Sequence, residues 1–168
     1  MGDFDFRPVI SVFFFNQEIL NNSNPMPPVA NQILPNLWLG SEKNEHDDAF
    51  LKRAKIKHDI HCTWNKREIP GVKLYWVQID DDPSEDIERF FPKITAAIDK
   101  ALKKGEGVLV HCQMGISRST TIVAAYLMWA KNMTAAKALA FIEKKRPFIN
   151  PNKGFRKQLL RWQDTITK

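Results

Sequence analysis

A chain of 168 residues, 43% hydrophobic and 26% charged, has the length and make-up of one globular domain. No apolar run approaches the roughly 18 residues of a membrane-spanning helix, and two cysteines, Cys62 and Cys112, are too few for a disulfide framework, so a reducing, cytoplasmic setting is expected. The 25 basic and 19 acidic side chains leave a formal charge of +6, which suits anionic substrates or partners without indicating nucleic acid.

Residues 1–30 read as an extension and linker, and 31–168 as the domain. The extension carries Pro8 to Phe15, an apolar run without the basic flank and small-residue cleavage site of a secretory signal. It is expected to dock on the domain, because three free phenylalanines would invite aggregation. Asn21 to Pro28 has the composition of a linker. From Ile33 to Leu39 a short strand or hairpin is expected. Asp47 to Ala54 follows as one or two helical turns with acids first and bases last.

Ile56 to Thr63 reads as a strand. His58 and His61 within it lack the spacing of a zinc pair and are taken as packing or surface residues, so no metal site is expected, and Cys62 is taken as a core thiol. Lys73 to Ile79 is a further strand, running into Asp80-Asp81-Asp82-Pro83-Ser84. One of these acids could deliver a proton to a leaving oxygen, but their chemistry alone does not choose among them. Ile87, Phe90, Phe91, Ile94, Ile98 and Leu102 then fall on one helical stripe, with Pro92 at its start or at a kink.

Gly107-Val108-Leu109-Val110 is a short, β-branched, apolar run of the kind found in a central strand. Ser119 to Trp129 is apolar almost all round and reads as a buried helix. Between them lies His111-Cys112-Gln113-Met114-Gly115-Ile116-Ser117-Arg118-Ser119. A loop that joins a strand to a helix can turn the backbone N–H groups of Gln113 through Ser117 toward one point beside a helix N-terminus, so its expected guest is an oxyanion. Gly115 permits the tight turn. An isolated thiol is mostly protonated at neutral pH, and convergent amides with the Arg118 guanidinium favour its thiolate. Cys112 is therefore the candidate nucleophile. Arg118 offers a planar fork for two phosphate oxygens, and Ser119 a hydroxyl to stabilise the departing sulfur.

Past that helix, Thr134 is expected to open another with Ala135, Ala138, Leu139 and Ile142 inward. Lys144-Lys145-Arg146 would end it, compensating the helix dipole, with a nuclear address as the alternative use. Asn150-Pro151 reads as an N-cap followed by Pro at the first position of a last helix, which buries Phe155, Leu159 and Trp162.

His-Cys-x5-Arg-Ser with Gly three residues after Cys resembles the signature of cysteine-dependent phosphatases, and the longer string Val-Leu-Val-His-Cys-x-x-Gly-Ile-Ser-Arg-Ser resembles the dual-specificity branch. Ile33 to Ser41 and Ile149-Asn150-Pro151-Asn152, with Phe155, Gln158 and Leu159, extend the likeness. The resemblance implies an α/β, protein tyrosine phosphatase-like fold, with a central, mostly parallel mixed sheet flanked by helices. It implies no cofactor and no metal, and a phosphorylated protein as substrate, dephosphorylated on tyrosine and serine or threonine through a phosphocysteine. Neither a membrane nor a nucleic acid partner is expected, and the oligomeric state is left open.

The family's acid sits about nine residues before an aromatic pair, here Phe90-Phe91, which selects Asp81 over Asp82. His111 and Asn152 are the supporting residues, Asn152 matching a family residue that braces the phosphate loop. Some relatives protect the nucleophile with a second cysteine, which would pair Cys62 with Cys112 under oxidation. Two alternatives remain. Pseudophosphatases of this fold bind phosphoproteins without turnover, but they lack the cysteine present here. Enzymes acting on phosphoinositides or RNA 5′ ends often carry basic residues inside the loop, where Gln113, Met114, Ile116 and Ser117 are neutral.

Overall fold

The computed structural model describes residues 29–166; the expected docking of the Pro8 to Phe15 run and the Asn21 to Pro28 linker lie outside them. A five-stranded sheet in the order β1-β2-β5-β3-β4 organises the chain. The expected hairpin forms from β1 (Asn31–Leu34) and β2 (Leu37–Ser41), antiparallel, with Asn36 in the left-handed region at their turn. All remaining pairs are parallel, so the sheet is mixed and mostly parallel as expected.

At its centre lies β5 (Gly107–Cys112), every residue of which is buried. An unbroken apolar run suits a strand covered on both faces. β3 (Ile56–His61) and β2 flank it. β4 (Lys73–Trp76) is shorter than the expected 73–79: Val77 still donates to the His61 carbonyl, but the chain then leaves the sheet edge toward the acidic turn.

Side-chain alternation divides β5 between two layers. Val108, Val110 and Cys112 face the larger core, built with α3 (Phe91–Lys103), α4 (Arg118–Lys131), α5 (Ala135–Glu143) and α6 (Lys153–Ile166). Leu109 faces a smaller cluster with Phe50, Leu51 and Ala54, carried on and just after α2 (Asp48–Arg53). A one-turn helix, α1 (Glu42–Glu45), precedes α2 and has no counterpart in the sequence reading.

The stripe expected around Ile94 and Ile98 is α3, preceded by a 3-10 turn at Glu88–Phe90, with Pro92 in its first turn where a missing N–H costs nothing. Helix α4 runs through the middle of the molecule, buried from Arg118 to Met128, as its all-round apolar sequence requires. Thr134 caps α5 by accepting from the Lys137 N–H.

Two boundary expectations are corrected. Residue Asn152, not Asn150, caps α6, its Oδ1 accepting from the Phe155 N–H at 2.9 Å, and Pro151 lies before the helix. Helix α5 stops at Glu143, and Arg146 does not sit in its last turn facing solvent: it is wholly buried.

Candidate active site

The parallel strands β5, β3 and β4 all point their carboxyl ends to one edge of the sheet, where an open α/β sheet ordinarily binds ligands. Residues 112–118 fill that edge. Cys112 closes β5 at 2% exposure, and its Sγ accepts from the Gly115 N–H at 3.2 Å and lies 3.2 Å from Ser119 Oγ at the start of α4.

Every carbonyl from Gln113 to Ser117 is held from outside the loop. Gln113 O accepts from the Glu42 N–H, Met114 O from Arg146 Nη2, Gly115 O from Arg146 Nε, Ile116 O from the Asn150 N–H, and Ser117 O from the Thr121 N–H and hydroxyl. A trans peptide sets its N–H opposite its C=O, so carbonyls fastened outward turn the amides inward over the sulfur. Gly115, at φ 67°, is required twice. Its backbone is left-handed, and a Cβ there would collide with the Gly40 carbonyl and Arg146 Nη2.

Arg118 is 8% exposed; Nη1 donates to the Ile79 carbonyl at 3.3 Å, and Nε has no acceptor among the described residues. A buried guanidinium donor aimed at nothing in the protein suits a phosphate oxygen. Arg118, Gln113, Asp81, Thr63 and Trp64 line one cleft of about 310 Å³.

Asp81 and Asp82 separate cleanly. Asp81 Oδ1 accepts from the Ser117 hydroxyl at 2.6 Å and from Asn152 Nδ2 at 2.8 Å, which ties the acidic turn to the loop and to the cap of α6. Asp82 Oδ1 accepts from the N–H and hydroxyl of Ser84 and stays within its own turn; those bonds hold its carboxyl below the usual range. Gly154 brings the turn close, because a Cβ there would overlap the Pro83 carbonyl. The Asn152 N–H also donates to Ser117 Oγ at 3.1 Å, so Asn152 braces both loop and acid.

Arg146 was missed by the sequence reading. Besides the two loop carbonyls, it reaches Asn31 Oδ1 at 2.7 Å and fastens the loop to β1. Burial pulls its pKa down to about 10, opposed by the Cys112 charge, which still leaves it cationic at neutral pH. Ile116 is half-buried, and Met114 is 43% exposed at the rim.

Cys62 and Cys112 are both free thiols, and burial pushes Cys62 well up, away from thiolate. The sequence reading of the histidines needs correction on one count. His58 is half-buried, bonded to Glu106 at 2.6 Å and stacked on Tyr75. His61 is no simple packing residue: it joins His111, Asp59 and Glu45 in a buried charged cluster. Burial works against a charge on His61, but bonds to Asp59 and Glu45 outweigh it and raise its pKa to about 9.

Residues 37–165 match the family described as the dual specificity phosphatase catalytic domain. The chain belongs to the dual specificity phosphatase family. Human dual specificity phosphatase 28 is 32% identical over 146 residues, covering 86% of this chain and 83% of that protein. Its crystal structure matches at a TM-score of 0.81, with 30% identity over 87% of this chain and 100% of the solved one. Human dual specificity protein phosphatase 6 is 37% identical over 154 residues, 88% of this chain but only 39% of that longer protein. The crystal structure of human tyrosine phosphatase-like serine/threonine/tyrosine-interacting protein also matches, with a TM-score of 0.79 and 32% identity over 84% of this chain and 100% of that one. Family and fold thus agree in placing the chain among the dual specificity phosphatases.

Proposed function

We propose that this chain hydrolyses phosphotyrosine and phosphoserine or phosphothreonine in proteins through a phosphocysteine intermediate. The observation that carries the reading is the convergence on one loop of a sulfur under inward-turned amides, a buried arginine with an unused donor, and a carboxylate bonded to the loop, the last two lining one cleft.

The Cys112 thiolate attacks phosphorus, and the ester P–O bond breaks as Asp81 gives its proton to the leaving oxygen. The phosphoryl group then rests on sulfur, its oxygens held by the loop amides and Arg118. Water attacks next, giving a proton to the Asp81 carboxylate. The S–P bond breaks, and Ser119 Oγ, 3.2 Å from the sulfur, supports the returning thiolate. Atoms and charge balance with no cofactor.

A phosphoprotein is favoured over a phosphoinositide or RNA 5′ end because Gln113, Met114, Ile116 and Ser117 add no cation to the loop. We place the chain in a reducing compartment such as the cytoplasm, which suits a thiolate enzyme with two free thiols. The test is Cys112→Ser. It should abolish turnover of p-nitrophenyl phosphate while still binding a phosphotyrosine peptide. Appreciable residual turnover would overturn the mechanism, and retention of turnover against inositol phospholipid alone would overturn the substrate class.

A further inference from the structure

On the sheet face opposite the sulfur, four side chains from three elements meet without solvent. Asp59 and His61 lie two residues apart on β3 and so share a face. His111 lies directly opposite His61 on β5, and Glu45 comes down from α1. Their side chains are at most 2% exposed. All four can present one ligand atom within 4.8 Å of the others. We propose that this cluster is a structural site for a divalent transition cation of the zinc class, held by Glu45, Asp59, His61 and His111.

The spacing is that of a coordination shell. Zinc bonds to nitrogen and oxygen of about 2.0–2.1 Å in a tetrahedron separate neighbouring ligand atoms by about 3.3–3.4 Å. Glu45 Oε2 lies 3.1 Å from His61 Nδ1 and 3.4 Å from His111 Nε2. Asp59 Oδ1 lies 3.1 Å from His111 Nε2, and Oδ2 lies 3.8 Å from His61 Nδ1. The Glu45 distances bracket the tetrahedral edge, and Asp59 meets each histidine with a different oxygen, so a small turn of its carboxylate would commit one of them to the ion.

Hydrogen bonding accounts for the contact between His61 Nδ1 and Glu45 Oε2 but not for the rest. Neither oxygen of Asp59 and neither ring nitrogen of His111 has an aligned partner among the described residues. Buried polar atoms are almost always paired, so a carboxylate and an imidazole left facing one another point to a guest between them. The surroundings also prepare the ligands. His61 Nε2 is 2.6 Å from Thr63 Oγ1, so it can keep a partner there while an entering ion displaces the proton on Nδ1. His46 Nε2 takes Glu45 Oε1 at 3.3 Å, leaving Oε2 inward.

Two carboxylates, two neutral imidazoles and one divalent cation sum to zero charge, which a site without water requires. Two nitrogen donors and four ligands in all disfavour calcium and magnesium, which take oxygen shells of six or more. The four protein donors would close the shell, the mark of a structural and not a catalytic site. Such an ion would pin α1, β3 and β5 together one residue before Cys112.

A closed site loads during folding, so the full chain is refolded with zinc or with a chelator, passed over a chelating resin and its metal counted. One zinc per chain is expected after zinc refolding, falling at least tenfold in Asp59→Asn and His61→Asn and unchanged in Cys112→Ser. Cobalt in place of zinc should give the visible bands of a tetrahedral site without a thiolate charge-transfer band. This readout needs no variant and stands if the substitutions fail to fold. A wild-type chain that refolds in zinc yet holds none overturns the proposal. So does a thiolate band, or zinc lost with Cys112→Ser and kept with His61→Asn, because the ion would then sit on the active-site sulfur.

Discussion

Replacing Arg146 with methionine keeps an unbranched chain of similar length and removes the fork that holds the phosphate loop. Three carbonyls lose their donors, Gly115 O at 2.8 Å, Met114 O at 3.2 Å and Val29 O at 3.4 Å, and Asn31 Oδ1 loses a bond of 2.7 Å. An acceptor left unpaired in the interior costs about 1–3 kcal/mol. Gly115 is buried and bears that in full, whereas water can reach beside the exposed Met114. Relief of guanidinium burial offsets part. The expected loss is about 2–4 kcal/mol. With a urea slope of about 2 kcal/mol per molar, the unfolding midpoint falls by about 1–2 M. Turnover suffers as well, because a displacement of about 1 Å in positioned groups costs roughly 100-fold. Arg146→Lys, a point charge that reaches one carbonyl at most, should fall between the two. If Arg146→Met unfolds within about 0.5 kcal/mol of the parent and keeps its kcat for p-nitrophenyl phosphate, the bracing role is refuted.

Asp81→Asn should slow hydrolysis of a phosphotyrosine peptide by about 100-fold or more and that of p-nitrophenyl phosphate far less, since nitrophenolate leaves without a proton. Asp82→Asn should change both little, and steady-state kinetics on the two substrates would expose a reversed assignment. Asn152→Ala removes a helix cap worth about 0.5–2 kcal/mol together with the bond to Asp81. It should therefore lower both the melting temperature and kcat, and a loss of stability alone would show that the bond to the acid has no catalytic weight. Gly154→Ala forces a methyl group into the Pro83 carbonyl; overpacking of this kind costs about 1–3 kcal/mol, measurable by urea unfolding, and unchanged stability would mean the turn gives way freely.

Much of this architecture was legible because local pattern and tertiary place agree. The β-branched run at Gly107 to Val110 is the central strand, the all-round apolar stretch after Ser119 is the central helix, and the loop chemistry lies between them. Asp81 was chosen by family resemblance, since three neighbouring carboxylates look alike until Ser117 and Asn152 are seen to reach only one. What stayed hidden depends on contacts distant in sequence. Arg146 stands in a basic triplet that reads as a helix end, and only the return of the chain past Gly115 and Asn31 shows why it is buried. Asp59 and His61 break the apolar pattern of β3, and nothing in that strand's own sequence shows that they meet in a buried cluster. Their cover is Glu45, on a helix of four residues too short to leave a periodic signal.

Among the described residues the Asp81 carboxylate is fastened by Ser117 and Asn152, while the sulfur, its amides and Arg118 are secured elsewhere. Grip and the proposed chemistry are thereby uncoupled: release of two bonds would withdraw the proposed proton donor, Asp81, and leave the loop standing. On the proposed mechanism, loosening that one surface segment would convert the chain from catalyst to trap.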